Sequence, residues 1–223
     1  MKEVLIFSTN EVAQRINYYL NNGDSVTPMT AKGFMVDDAY YKEPELDGKE
    51  IFRYSDAKEK FAGKIPVIVC VGYSDMNENR KIIFNKLLAD GWDISSYISV
   101  RTVIESNDMG IGNIFIGSSS MEFKSRIGNG NIFLNGHLHH HSTVGNFNFF
   151  SNNIINGNVK IGDCCFFGSC SCVADETTVH DKTLVGASCY LNRSTKESGL
   201  CFAAPKAILW GSSEAAMNHW MSR

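Results

Sequence analysis

The sequence predicts a protein in two parts, a small parallel α/β sheet over residues 1–98 and a solenoid of short strands and turns over residues 99–223. Two observations carry this division. From Ile161 onward, large apolar residues recur six apart without a break, at Ile161, Phe167, Val173, Val179, Val185 and Leu191. Neither helix nor ordinary strand has that period, whereas each turn of a solenoid needs a large side chain inside and small ones at its corners. The flanking columns agree. One place on stand Gly162, Gly168, Ala174, His180, Gly186 and Asn192, small except at His180; four places on stand Cys165, Ser171, Thr177, Thr183 and Cys189. Ahead of residue 99 the apolar residues instead alternate between short runs and helical spacing, the pattern of a parallel α/β sheet.

The elements follow in order. Val4, Leu5, Ile6 and Phe7 form a strand, Ser8, Thr9 and Asn10 a turn, and Val12, Ala13, Ile16, Tyr19 and Leu20 a helix face. A second strand is expected over residues 33–36, ending on Asp37 and Asp38, and a third over residues 66–71, ending on Gly72 and Tyr73. A helix over residues 77–89 buries Ile82, Ile83, Phe84, Leu87 and Leu88. Ligands of such sheets sit beyond the carboxyl ends of the strands, here at Ser8, Thr9, Asn10, Asp37, Asp38, Gly72 and Tyr73. Beyond Ser99 glycine and asparagine become frequent, as in Gly110-Ile111-Gly112-Asn113 and Ile127-Gly128-Asn129-Gly130-Asn131. The hexad frame extends backwards but slips by one residue between Phe133 and Leu138 and between Phe150 and Ile155. Each slip reads as a shortened corner, where asparagine and glycine tolerate left-handed backbone angles.

Composition narrows the function. With 43% apolar and 20% charged residues the chain can bury a core, and its net charge of −3 offers no global basic surface for nucleic acid. No apolar stretch approaches the roughly 20 residues of a membrane helix. The N-terminal MKEVLIFS runs straight into a strand without a signal peptide's apolar segment, so the expected location is cytoplasmic. The seven cysteines are odd in number and lack zinc-finger spacing, which points to cysteine as a small buried hydrophobe and to no metal. Phe147, Phe149 and Phe150 lie close together, and an exposed aromatic patch of that kind marks an interface; it predicts a homotrimer.

Four of the six histidines fall at His137, His139, His140 and His141. In a strand, alternate side chains point to opposite faces, which opposes convergence on a metal. Exposed imidazoles decorating a surface are one alternative. The other is a general base, which a transferase needs to take a proton from an amine or hydroxyl near neutral pH.

The hexad run resembles the left-handed parallel β-helix of the hexapeptide-repeat acyltransferases. Leu134-Asn135-Gly136, Val144-Gly145-Asn146-Phe147 and Gly157-Asn158-Val159-Lys160-Ile161-Gly162 resemble the catalytic coil of bacterial sugar acetyltransferases that act on nucleotide-linked amino sugars or on sialic acid. Gly33 to Asp38, Leu46-Asp47-Gly48, Val71-Gly72 and Asn79-Arg80 fall where that family has its Rossmann-like sugar-nucleotide domain. The left hand comes from this resemblance, since general crossover rules favour the right. The resemblance implies an acetyl-CoA-dependent N- or O-acetyltransferase of surface polysaccharide biosynthesis, acting as a trimer with the acyl donor lying between two subunits. It places the base four residues before the Val144-Gly145 pair, at His140; counting forward from Phe133 gives His141. The family's acidic residue directly after the base is absent, because His141 and Ser142 follow. The cofactor positions carried over are Gly168, Ser169, Gly186, Ala187 and Ser188, with Lys206 in a tail, residues 202–207, that meets phosphate. Where the family has a glycine-rich turn after the first strand, this chain has Ser8-Thr9-Asn10-Glu11. The Ser8 and Thr9 hydroxyls would then donate to phosphate, and Asp37 or Asp38 would accept from base or ribose. The alternative is a catalytically weak or inactive β-helix trimer serving as scaffold or sugar-binding module.

Overall fold

The computed structural model describes residues 2–206 together with 212, 213 and 217. The N-terminal part comprises β1 (Lys2–Phe7), α1 (Glu11–Asn21), β2 (Met29–Val36), β3 (Glu45–Leu46), β4 (Lys49–Arg53), α2 (Tyr54–Phe61), β5 (Val67–Val69) and α3 (Glu78–Ala89). Its sheet runs β3-β4-β2-β1-β5, parallel except where β3 pairs antiparallel with β4. Asn10 starts α1 by accepting the Ala13 amide on Oδ1 at 3.0 Å, a cap that typically stabilises by ~1 kcal/mol. The helix then buries Ala13, Ile16, Asn17 and Leu20. The expected strands and helices form, but α3 packs through its Arg80, Phe84 and Leu87 face alone, so of the five apolar residues expected inside only Phe84 and Leu87 are buried, Ile83 is half-buried, and Ile82 and Leu88 are 59 and 42% exposed; β3, β4 and α2 are additional. Their signal is weak: β4 buries only Ile51 and Phe52, and α2 only Tyr54 and Ala57.

From Tyr97 the chain winds into a three-faced parallel β-helix. The first face contains Tyr97–Ile98, Ile114–Ile116, Ile132–Leu134, Phe149–Ser151, Phe166–Phe167, Leu184–Val185 and Cys201–Phe202. The second contains Val103–Ile104, Ser120–Met121, His137–Leu138, Ile154–Ile155, Cys172–Val173 and Tyr190–Leu191; the third contains Arg126–Ile127, Thr143–Val144, Lys160–Ile161 and Thr178–Val179. The hexad residues all point inward and are buried. On the first face the rings of Phe115, Phe133, Phe150 and Phe167 stack at centroid spacings of 4.6, 4.3 and 4.9 Å. Such pairs add about 0.5–1.5 kcal/mol each beyond their burial.

Both frame slips fall at the same corner, between the first and second faces, so Phe133 lies seventeen residues below Phe150 where Ile161 lies eighteen below Val179. Asn135 and Asn152 take the left-handed backbone there, at φ 53° and 46°. Later corners reach the same conformation with Cys164, Cys170, Glu176, Lys182 and Ser188. At Cys164, Glu176, Lys182 and Ser188 the amide donates to a carbonyl of the preceding coil at 2.8–3.0 Å, so stacking supplies what side-chain preference does not. Asn113, Asn131 and Asn148 are not corner residues of this kind. They are buried, and form an internal ladder in which each Oδ1 accepts the amide of the next coil, at Asn131, Asn148 and Cys165, at 2.7–2.9 Å.

The aromatic cluster differs from expectation. Phe147, Phe149 and Phe150 are 6, 4 and 0% exposed, so they form no surface patch. The reason is tertiary: Phe149 packs into the α/β core with Ile114 and Ile132, Phe147 meets Phe84 of α3, and Phe150 lies inside the coil. The cysteine reading also needs correction. All seven are free, but only Cys70, Cys164, Cys165 and Cys189 are buried, while Cys170 and Cys201 are exposed at the surface of the β-helix. Among the described residues, no helix is long and apolar enough to cross a membrane, and no cluster of three or more histidine, cysteine or acidic side chains could hold a metal.

The two parts are joined by buried polar groups. Arg80 of α3 is 1% exposed and donates to the carbonyls of Gly72, Gly130, Phe147 and Asn148 at 2.8–3.1 Å, and to that of Val71 at 3.3 Å. Burial pushes its guanidinium down to about 9, which leaves it charged at neutral pH. Asp24, after α1, accepts from Ser99 Oγ, the Val100 amide and Arg101 at 2.7–2.9 Å.

Candidate active site

The carboxyl ends of β1 and β2 open into a crevice of about 490 Å³, lined by Ser8, Thr9, Asn10, Asp37, Tyr40 and, from the far side, by Ser74, Asn79, Ile82 and Ile83. Ser8 has φ 110°, a conformation that suits glycine and costs another residue about 1–3 kcal/mol. The turn therefore keeps a glycine-like path while carrying a hydroxyl, which accepts the Asn10 amide at 3.2 Å. Asn10 serves the scaffold as well, capping α1 and donating through Nδ2 to the Cys70 carbonyl at 2.7 Å. Asp37 pairs with Lys86, whose ammonium also lies 3.8 Å over the Tyr54 ring.

The structure does not bring every expected residue into this crevice. Asp38 turns away and accepts the Ser55 amide at 3.0 Å, a bond that holds its carboxyl below the usual range. Gly72 offers its carbonyl to Arg80, and the Tyr73 ring packs 4.9 Å from both Phe149 and Phe166 on the first face. Asn79, Ile82 and Ile83 line the crevice without having been singled out as ligand contacts, because a helix pattern shows which residues are apolar but not that α3 starts beside the β1 turn.

His139, His140 and His141 occupy the corner between the second and third faces, opposite the first face, while His137 lies in a strand of the second face. His140 and His141 are exposed, His137 and His139 half-buried. The preceding coil places Phe123 and Lys124 here, and the next places Gly157 and Asn158. Gly157 makes a seat for the His140 ring: a Cβ built on it would lie 2.5 Å from His140 Cε1 and 3.0 Å from each ring nitrogen. The backbone around the ring is held on both sides. The His140 amide donates to Glu122 Oε2 at 3.1 Å, and its carbonyl accepts the Asn158 amide at 3.0 Å. His141 sits in the left-handed corner at φ 60°, and its Nδ1 is 3.1 Å from Nδ1 of His140. His137 is engaged instead with Ser120 Oγ at 3.0 Å.

No family model and no curated protein matches the chain in sequence. Solved structures do match it in fold. The acetyltransferase domain of PglB from Neisseria gonorrhoeae FA1090 is 16% identical over 90% of this chain and 96% of that one, with a TM-score of 0.77. A histidine-to-asparagine variant of perosamine N-acetyltransferase from Caulobacter crescentus, in complex with CoA and GDP-perosamine, is 17% identical over 90% and 93%, with a TM-score of 0.78. WeeI from Acinetobacter baumannii AYE is 17% identical over 90% and 96%, with a TM-score of 0.75. The chain has the fold of these enzymes, an α/β domain followed by a left-handed parallel β-helix.

The residues expected to receive the acyl donor lie along another corner, between the first and second faces. Gly168 is packed against the next coil, where an added Cβ would meet the Ala187 amide nitrogen at 2.6 Å; Gly186 is similarly backed by the Phe202 carbonyl at 3.0 Å. Their smallness is thus a packing requirement. Ser169, Ala187 and Ser188 are exposed beside them, with Ser169 Oγ 3.0 Å from Ser151 Oγ. Lys206 is exposed, and Ala207 of the tail lies outside the described residues. The small exposed side chains leave backbone within reach of an extended ligand.

Proposed function

We propose that this chain is an acetyl-CoA-dependent sugar acetyltransferase that works on a nucleotide-linked sugar, with His140 as general base. The observation that carries the reading is the exposed His140 ring seated on Gly157, on a scaffold shared with sugar acetyltransferases. The gonorrhoeal domain has also been solved with acetyl coenzyme A bound. In the reaction the acceptor nitrogen or oxygen attacks the thioester carbonyl, its proton passes to the imidazole, and coenzyme A leaves as the thiol. Ser8 and Thr9 would hold the acceptor's diphosphate in the α/β crevice, and the corner carrying Ser169, Ala187 and Ser188 would hold the donor. His140 sits at the corner opposite the first face, which the α/β part covers, so a crevice and a histidine meet most directly across two copies of the chain. The second face suits such an assembly. Its outward column, Val103, Ser120, His137, Ile154, Cys172 and Tyr190, carries no acidic, lysine or arginine side chain, and Val103, Ile154 and Tyr190 remain 57, 43 and 61% exposed.

Release of thiol from acetyl-CoA, measured against a panel of UDP-, dTDP- and GDP-linked amino sugars, tests the activity. Turnover with one of them, abolished in His140→Ala, is the expected result. Absence of turnover, together with no thermal shift by coenzyme A or acetyl-CoA, would instead favour a scaffold. Light scattering should give a trimer mass, and a monomer would remove the shared site.

A further inference from the structure

Among the described residues no carboxylate hydrogen-bonds the His140 ring. Glu122, from the preceding coil, is committed elsewhere, with Oε2 accepting the His140 backbone amide at 3.1 Å and Oε1 lying 3.9 Å from Nε2 of His139, and Asp175, two coils on, accepts the Gly157 amide on Oδ1 at 3.0 Å. What the His140 ring does meet is the other imidazole, Nδ1 to Nδ1 at 3.1 Å. Two nitrogens at that distance share one hydrogen, so the tautomers of the two rings are coupled. If His141 donated, Nε2 of neutral His140 would carry a proton and could accept none. If His140 donates, its Nε2 is bare and, among the described residues, meets no other hydrogen-bonding group. Resting on the reading of His140 as base, we propose that His141 is the positioning residue for His140: its Nδ1 accepts the His140 Nδ1 proton, holds the ring on Gly157 and leaves Nε2 as the lone pair that takes the acceptor's proton. His141 is itself braced for this task. Its left-handed backbone turns the ring back over the corner, its amide donates to the Phe123 carbonyl at 3.1 Å, and its ring meets the Phe123 ring edge-on at 5.9 Å. During transfer the acceptor's bond to hydrogen breaks, the proton bonds to Nε2, and the Nδ1 proton stays between the rings. The imidazolium then returns a proton to the departing thiolate.

The test uses the full chain with ¹⁵N-labelled histidine, at a pH where both rings are neutral. Imidazole nitrogen shifts and their proton couplings report which nitrogen of His140 carries hydrogen. The wild type and His141→Asn, whose amide oxygen can accept the same proton and whose side chain tolerates the left-handed corner, should show His140 protonated on Nδ1. His141→Phe should lose that tautomer. Where transfer is measurable, His141→Phe should lower kcat about tenfold or more with both Michaelis constants little changed, and His141→Asn should restore it to within a few-fold. A wild-type His140 protonated on Nε2 would overturn the proposal, and so would an unchanged tautomer in His141→Phe. The wild-type spectrum needs no variant to fold. Because the spectrum is independent of turnover, an inactive protein with the Nδ1 tautomer would overturn the acetyltransferase reading while leaving the pairing intact.

Discussion

Replacing Gly157 by alanine removes the seat of the proposed base without touching the base itself. The new Cβ would stand 2.5 Å from His140 Cε1 and 3.0 Å from Nδ1 and Nε2, against about 3.5–4.0 Å for an ordinary contact. Something must therefore move by about 1 Å. The backbone is not free to do so, because the Gly157 amide donates to Asp175 Oδ1 at 3.0 Å and the neighbouring Asn158 amide to the His140 carbonyl at 3.0 Å. The ring is exposed on its other side, so the ring yields. A displacement of about 1 Å at a reacting group costs on the order of a hundredfold in rate, or about 2.7 kcal/mol in the barrier. The fold should hardly notice: Gly157 is not among the positive-φ glycines, and glycine-to-alanine at a compatible backbone gains about 0.4–1 kcal/mol through the unfolded chain. Steady-state thiol release at saturating acetyl-CoA, measured beside a thermal melt, separates the two effects. The expected result is a kcat lowered about a hundredfold at an unchanged or slightly raised melting temperature. Wild-type turnover in a folded Gly157→Ala protein would refute the placement of the base on this seat.

Three further outcomes follow from the same geometry. Arg80→Met strands five carbonyl contacts, three of them buried, at Gly130, Phe147 and Asn148, and two part-buried, at Val71 and Gly72; urea unfolding should show a loss of about 3 kcal/mol or more, with Arg80→Lys between it and the wild type. At Asp24 burial opposes ionisation, but hydrogen bonds from Ser99, the Val100 amide and Arg101 outweigh it and hold the carboxyl below its usual range. A depressed carboxylate stabilises the fold above its unfolded value near ~3.9 and loses that contribution as pH falls through the folded value. Asp24→Asn should accordingly cost about 1–2 kcal/mol at pH 7 and flatten the stability curve below about pH 4 in chemical denaturation. Asp37→Ala should raise the acceptor's Michaelis constant about tenfold or more while leaving that of acetyl-CoA unchanged, whereas Asp38→Ala, whose carboxylate serves Ser55, should change neither.

The sequence by itself determined the architecture and marked the crevice and the histidine corner. A period of six cannot be met by helix or sheet, so the run from Ile161 to Leu191 specified a solenoid wherever the rest of the chain went. The strand and helix periods ahead of residue 99 likewise specified a parallel sheet with its crevice at Ser8, Thr9 and Asp37. The four clustered histidines marked the corner, and the slips marked shortened turns. What the tertiary structure decided are matters of stacking between residues seventeen or eighteen apart and of docking between the two parts. Phe147 and Phe149 look like a surface patch in sequence, but they are buried because α3 and the turn after β5 lie over the first face. Asp37 and Asp38 are adjacent in the chain, and only folding sends one to Lys86 at the crevice and the other to Ser55. Gly157 resembles any other corner glycine until the preceding coil lays His140 across it. The missing carboxylate after His140 was legible as an absence. That Glu122 lies one coil away yet bonds the backbone, leaving His141 to meet the ring, was not, because a side chain's partner is set by which rung stacks on it rather than by which residue follows it.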